Sequence, residues 1–121
     1  MFTVMVETEF FAEHQLMMPD GNKESLHGHK WKVIAAVTCE TLNSAGLAID
    51  FHQLKDILDK IIRPFAGRRL EECEPFVRVN ASAENVARYI FDRLAGQIMP
   101  PVQLCWVEIT EAEGCKVRYE L

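Results

Sequence analysis

The periodicity of this chain changes twice, and those changes constrain the fold more than any other feature. Val4, Val6 and Phe10 share one face at period two, as in a half-buried strand. A polar, turn-rich stretch follows at Pro19-Asp20-Gly21-Asn22-Lys23-Glu24-Ser25. A second strand then runs from about Leu26 to Thr41, with Val33, Ala35 and Val37 on its apolar face. From Asp50 the period becomes helical. Phe51, Leu54, Leu58 and Ile61 recur at helical spacing, Asp50 can cap the start with Gln53 three residues on, and Pro64 stops the helix. A second helix is predicted from Ser82 or Ala83 to Leu94, with Gly96 as its stop. Strand signals return over about Val102–Glu111 and Cys115–Leu121, joined by a tight Glu113-Gly114 turn. The order strand, strand, helix, helix, strand, strand predicts an α+β fold: a four-stranded antiparallel sheet with both helices on one face. The two open edges of such a sheet predict a homo-oligomer.

Composition narrows the function classes. A length of 121 residues suits one domain, 1–121, and 49% hydrophobic with 26% charged residues marks an ordinary globular chain. A net charge of −5 without a basic stripe argues against a nucleic-acid partner. No apolar stretch approaches the ~20 residues of a membrane span, and no signal peptide is visible at the N-terminus. Cys39, Cys73, Cys105 and Cys115 form no C-x-x-C pair and read as thiols of a reducing, cytoplasmic compartment.

The chemistry concentrates in His27-Gly28-His29. Residues two apart on a strand point to the same face, about 6–7 Å apart, so two imidazoles can share one metal. Glycine between them leaves the opposite face free for another backbone to approach. His14 ends the first strand, and the turn after it returns the chain to His27. Three imidazoles and an open fourth position make a catalytic zinc arrangement, and no thiolate lies nearby to close the site. An H-x-H pair on a strand also occurs without a metal. His52, in the first turn of a helix, reads as a surface residue.

Five stretches, in order, carry a family resemblance: Phe11-Ala12-Glu13-His14-Gln15-Leu16; Leu26-His27-Gly28-His29-Lys30-Trp31; Gly46-Leu47-Ala48-Ile49-Asp50-Phe51 with Leu54-Lys55; Asn80-Ala81-Ser82-Ala83-Glu84-Asn85; and Val107-x-Ile109-x-Glu111-Ala112 with Tyr119. Together they resemble the 6-pyruvoyl-tetrahydropterin synthase and 6-carboxytetrahydropterin synthase family over nearly the whole chain. The resemblance implies the tunnelling fold, in which strands of neighbouring subunits join into a barrel, and a homo-oligomer, trimer or hexamer. It implies zinc held by His14, His27 and His29. It implies that Glu111 anchors a pterin, since a carboxylate can accept two hydrogen bonds from the pterin's adjacent N–H and amino groups.

The resemblance also locates departures. The family's usual cysteine base falls at Lys23, and its Asp-His pair falls in Ala66-Gly67-Arg68-Arg69-Leu70-Glu71, where neither residue is present. Glu24-Ser25-Leu26-His27-Gly28-His29 resembles instead the E-x-L-H-G-H branch, whose members cleave the pterin side chain in an aldolase-like step to 6-hydroxymethyldihydropterin. Glu24 is then the candidate base. Arg68 and Arg69 are either anion binders or surface charges, and Cys73 could reach the site. Two readings follow. One is a zinc-dependent lyase or aldolase acting on dihydroneopterin triphosphate or a related pterin. The other is a paralogue that binds a pterin-like or purine-like ligand without turnover.

Overall fold

A computed structural model describes residues 1–121. Strand β1 (Phe2–His14) pairs antiparallel with β2 (His27–Cys39) along its whole length. Helix α1 (Phe51–Ile62) follows, then a 3-10 turn at Arg63–Phe65, a two-residue strand β3 (Arg68–Arg69) and a second 3-10 turn at Leu70–Glu72. Helix α2 (Ala83–Ala95) leads to the hairpin of β4 (Gln103–Ala112) and β5 (Cys115–Tyr119).

The sheet order is β3-β1-β2-β4-β5. The sheet is therefore five-stranded and mixed, not four-stranded and antiparallel as the periodicity predicted. The additional strand runs parallel to β1, pairing Arg68 with Ala12 and Arg69 with Glu13. The Gly67 amide starts this contact by donating to the Phe11 carbonyl at 2.7 Å. Two residues are too short to show a period, so this edge has no signature in the sequence.

The helices begin where polar caps allow. Asp50 Oδ1 accepts from the His52 amide at 2.8 Å, so the cap is made there and not through Gln53. Ser82 Oγ accepts from the Asn85 amide at 3.1 Å. Pro64 sits in the first turn of the 3-10 segment that ends α1. Leu54, Leu58, Ile61 and Ile62 from α1 and Val86, Ala87, Ile90, Phe91 and Leu94 from α2 form one core with Val33, Ala35, Val37, Val107 and Ile109 of the sheet. Leu58 is fully buried, and its truncation to Ala would cost about 2–5 kcal/mol.

The β1–β2 pairing sets even-numbered residues of β1 across from odd-numbered residues of β2, with His14 opposite His27 and Ala12 opposite His29. One face therefore carries Val6, Phe10 and His14 together with His27, His29, Trp31 and Val33. Its apolar part is the core. Its end, at the close of β1 and the start of β2, carries the imidazoles. No helix is long and apolar enough to cross a membrane.

Candidate metal and substrate site

His14, His27 and His29 converge at the end of the β1–β2 pair. Their ligand atoms, with a carboxylate oxygen of Glu111, all lie within 4.8 Å of one another. His14 is fully buried, wedged between the edges of its neighbours: its ring centroid lies 4.9 Å from that of Trp31 and 4.7 Å from that of His27. Trp31 is itself fixed by donating from Nε1 to the Ala12 carbonyl at 3.2 Å.

The tautomers of two of the rings follow from their partners. A carbonyl oxygen can only accept, so His14 Nδ1, 2.8 Å from the Ala81 carbonyl, carries a proton. His27 Nδ1 does the same toward the Ser25 carbonyl at 2.7 Å. Each ring therefore turns its other nitrogen, Nε2, inward, and these two atoms are 3.1 Å apart. Glu111 Oε1 lies 2.7 Å from His14 Nε2 and 3.5 Å from His29 Nε2. Electron-rich atoms crowded in this way are what a divalent cation neutralises, and main-chain carbonyls on the outer nitrogens are the usual way a ligating imidazole is aimed. The residues fit zinc: three imidazoles, with a fourth donor within reach.

Burial above all holds the His29 imidazole below its ordinary value of 6.5. Glu111 opposes this, His27 and His14 add to it, and Glu24 opposes it more weakly. His29 thus stays neutral, with a lone pair available, to lower pH than a free imidazole.

Glu24 also reaches the cluster. Its Oε1 is 3.7 Å from His27 Nε2 and 4.0 Å from His14 Nε2, and it accepts from the Leu16 amide at 3.2 Å. The Glu24 amide returns a bond to the Leu16 carbonyl at 2.9 Å, so the loop before β2 is tied to the segment after β1. Cys73 does not reach the site. Its thiol is buried against the Pro64 and Arg69 carbonyls. His52 is exposed on α1, as expected, and all four cysteines are free.

Three supporting contacts go beyond what the sequence predicts. Asn80 clamps the segment after His14, donating to the Met17 carbonyl and accepting from the Met17 amide, both at 3.0 Å. The adjacent Ala81 carbonyl is the one that holds His14. The motif read as a helix start thus also aims a ring, and its nearness in sequence to Ser82 was the one available signal. Second, Gly28 is not approached by another backbone. A Cβ there would lie 2.4 Å from Cζ of Phe11, whose ring crosses the β1–β2 pair. Third, Arg69 is part of a small network: its Nε donates to Glu71 Oε1 at 3.2 Å and its Nη2 to Gln15 Oε1 at 3.0 Å.

Comparison with known proteins places this architecture. The structure of 6-pyruvoyl tetrahydropterin synthase from Caenorhabditis elegans superposes with a TM-score of 0.86 at 23% identity, covering 99% of this chain and 95% of that one. That likeness defines the class as an α+β tunnelling fold. Residues 3–121 match the family model for 6-pyruvoyl tetrahydropterin synthase, and the chain belongs to that family. The human 6-pyruvoyl tetrahydrobiopterin synthase is 31% identical over 101 residues, 82% of this chain and 69% of its own length. A dihydroneopterin monophosphate aldolase from Pyrococcus furiosus is 25% identical over 117 residues, 97% of this chain and 96% of its own. Membership and these relatives support a pterin-related role.

Proposed function

We propose that this chain is a zinc-dependent pterin-processing enzyme that cleaves the side chain of a dihydroneopterin phosphate in an aldolase-like step. The observation that carries this reading is the Glu24 carboxylate standing 3.7 Å from His27 Nε2 and 4.0 Å from His14 Nε2, beside the converging imidazoles. The end-to-end similarity to an aldolase of the family supports it.

His14, His27 and His29 would hold the metal. A zinc ion there would supply Lewis acidity to the side-chain oxygens of the pterin, making their protons easier to remove. Glu24 takes the proton from the side-chain hydroxyl farther from the ring. The O–H electron pair forms the carbonyl of the departing aldehyde, and the bond between the two hydroxyl-bearing carbons breaks. Its electron pair passes onto the carbon attached to the pterin and into the ring. That carbon then takes a proton, which Glu24 holds, to give 6-hydroxymethyldihydropterin. No oxidant or reductant is needed.

Glu111 is the proposed pterin anchor. Its Oε1 faces the imidazoles, but its side chain keeps 24% of its surface exposed, so an entering ligand can meet it. Assembly into a cytoplasmic trimer or hexamer, with sheets joined at the β3 and β5 edges into a barrel, completes the proposal.

The test is incubation of zinc-loaded protein with dihydroneopterin monophosphate and triphosphate. Release of 6-hydroxymethyldihydropterin, abolished in Glu24→Gln, is the expected result. The second reading, a paralogue that binds without turnover, draws on Lys23 and Arg68-Arg69 occupying the places of the family's usual proton-handling residues. Unaltered substrate after hours, under conditions where another family member converts it, would favour that reading.

A further inference from the structure

Glu111 is an acid on a core-facing row. Alternation along β4 puts it on the same face as Val107 and Ile109, which are fully buried. It is also the extra residue of a β-bulge. Thr110 pairs with Lys116 and Ala112 with Cys115, which leaves Glu111 without a partner on β5. Bulges re-aim a side chain, and this one turns toward the imidazoles of β1 and β2.

The two carboxylates of the site keep different company. Glu24 accepts from the Leu16 amide, and its oxygen is 3.7 and 4.0 Å from the nearest ring nitrogens. Glu111 has imidazoles as its only ion-pair partners, His14 at 2.7 Å and His29 at 3.5 Å. The His14 contact is the telling one. The proton of that ring is on Nδ1, directed at the Ala81 carbonyl, so Nε2 offers a lone pair. This lone pair meets two further acceptors, Glu111 Oε1 at 2.7 Å and His27 Nε2 at 3.1 Å. A second proton on His14 would answer one of these contacts, whereas one metal ion answers all of them. Donors around a tetrahedral zinc, with bonds of about 2.0–2.1 Å, stand about 3.3 Å from one another. The separations of 2.7, 3.1 and 3.5 Å lie around that value. Glu111, and not Glu24, belongs with the three histidines to the group whose ligand atoms are mutually close.

We propose that Glu111 is itself the fourth ligand of the metal in the ligand-free protein, and a removable one: a ligand presenting adjacent N–H donors draws the carboxylate away and so opens the position that the substrate's oxygens need. The identity of that ligand rests on the pterin-processing reading above. A carboxylate suits the exchange, because its charge can be answered by a metal or by two parallel N–H donors. The partial exposure of Glu111 lets the incoming ring reach it. Recognition of the ring and readiness of the metal are then one event, and a metal capped in this way is withheld from stray anions until the ring is seated.

The experiment has two arms, both on protein loaded with cobalt(II) in place of zinc, whose visible absorption reports its ligands. In the first, azide is titrated into wild type and Glu111→Gln, each checked for metal content and far-UV circular dichroism. The two side chains are nearly isosteric, so the variant should fold. If the carboxylate leaves the fourth position open in a tenth of molecules or fewer, azide binds the variant about tenfold more tightly or better. The azide-free spectra of the two proteins should also differ. Equal azide affinity overturns the proposal. The second arm needs no variant. 6-Methylpterin, which has the ring's N–H donors but no side-chain hydroxyl, is added to wild type before azide. A changed cobalt spectrum and azide affinity raised about tenfold, with neither effect in Glu111→Gln, are expected. An unchanged spectrum with 6-methylpterin bound, as its fluorescence would show, overturns the proposal. Azide controlled by Glu111 but no binding of 6-methylpterin would sink the pterin reading and keep the carboxylate as a ligand. Equal azide affinities alongside turnover of dihydroneopterin monophosphate would do the reverse.

Discussion

The imidazole cluster and the Glu24 carboxylate meet within 4 Å but are held by different means. His14 and His27 are aimed by main-chain carbonyls, those of Ala81 and Ser25, and His14 is enclosed by packed rings. Glu24 is a side chain of a polar loop, tied down by bonds to Leu16. The substituted stretch 66–71 lies along the sheet edge, where Arg68 and Arg69 pair with β1 through main-chain geometry that any residue could adopt. The difference teaches that the orientation of the rings rests on main-chain partners, whereas that of the carboxylate rests on one loop. Changing His14 leaves the buried Ala81 carbonyl without its donor, while changing a side chain of the loop or edge leaves the backbone bonds in place.

Predictions that test this contrast run from the imidazoles outward. His29→Ala should lose stoichiometric zinc while keeping most of the fold, because the strands it joins already pack through the core. Elemental analysis finding one zinc per variant chain would break the ligand assignment. Glu24→Gln should retain zinc but lower kcat by about 10²–10⁴-fold. Metal loss in that variant would instead make Glu24 part of the metal-holding half. Asn80→Ala removes both Met17 bonds and loosens the segment that carries Ala81 toward His14. Zinc affinity, measured by chelator competition, should fall about 10–100-fold, and an unchanged affinity would show that packing alone aims the ring. Gly28→Ala must displace the far end of the Phe11 ring, which is exposed and has room to turn outward, so the cost should be ~1 kcal/mol and visible as a small drop in Tm.

The smallest effect concerns protons. In metal-free protein His29 should titrate below 6.5, observable as an imidazole resonance in NMR. The sign follows from linkage. The unfolded chain takes up this proton first as pH falls, so the folded state keeps its full stability above about 6.5 and loses some on further acidification. A midpoint above 6.5 would mean that the charges of Glu111 and Glu24 outweigh burial.

Much of this was legible in the sequence because periodicity reports burial directly. Val33, Ala35 and Val37 at period two, and Leu54, Leu58 and Ile61 at helical spacing, located the core faces of β2 and α1. The convergence of His14 with His27 and His29 was likewise readable, since it needs only a strand pair closed near its end. Other features leave no such trace. Strand β3 is too short for a period. The Ala81 carbonyl that orients His14 belongs to the main chain, which every residue type shares. Phe11 over Gly28 depends on a diagonal relation between strands, not on either residue's neighbours in sequence. That Lys23 and Arg69 line one pocket is a product of tertiary structure alone.

The bond from His14 to Ala81 has a further consequence. It connects the ring to the residue just before the cap of α2, so metal occupancy and docking of that helix are thermodynamically linked. Whatever binds at the imidazoles must, in proportion to its concentration over its Kd, also slow the transient opening of the first turn of α2. Amide hydrogen exchange at Asn85 and Val86, whose donors bond to Ser82, would then act as a remote gauge of what occupies the site, readable without following any reaction.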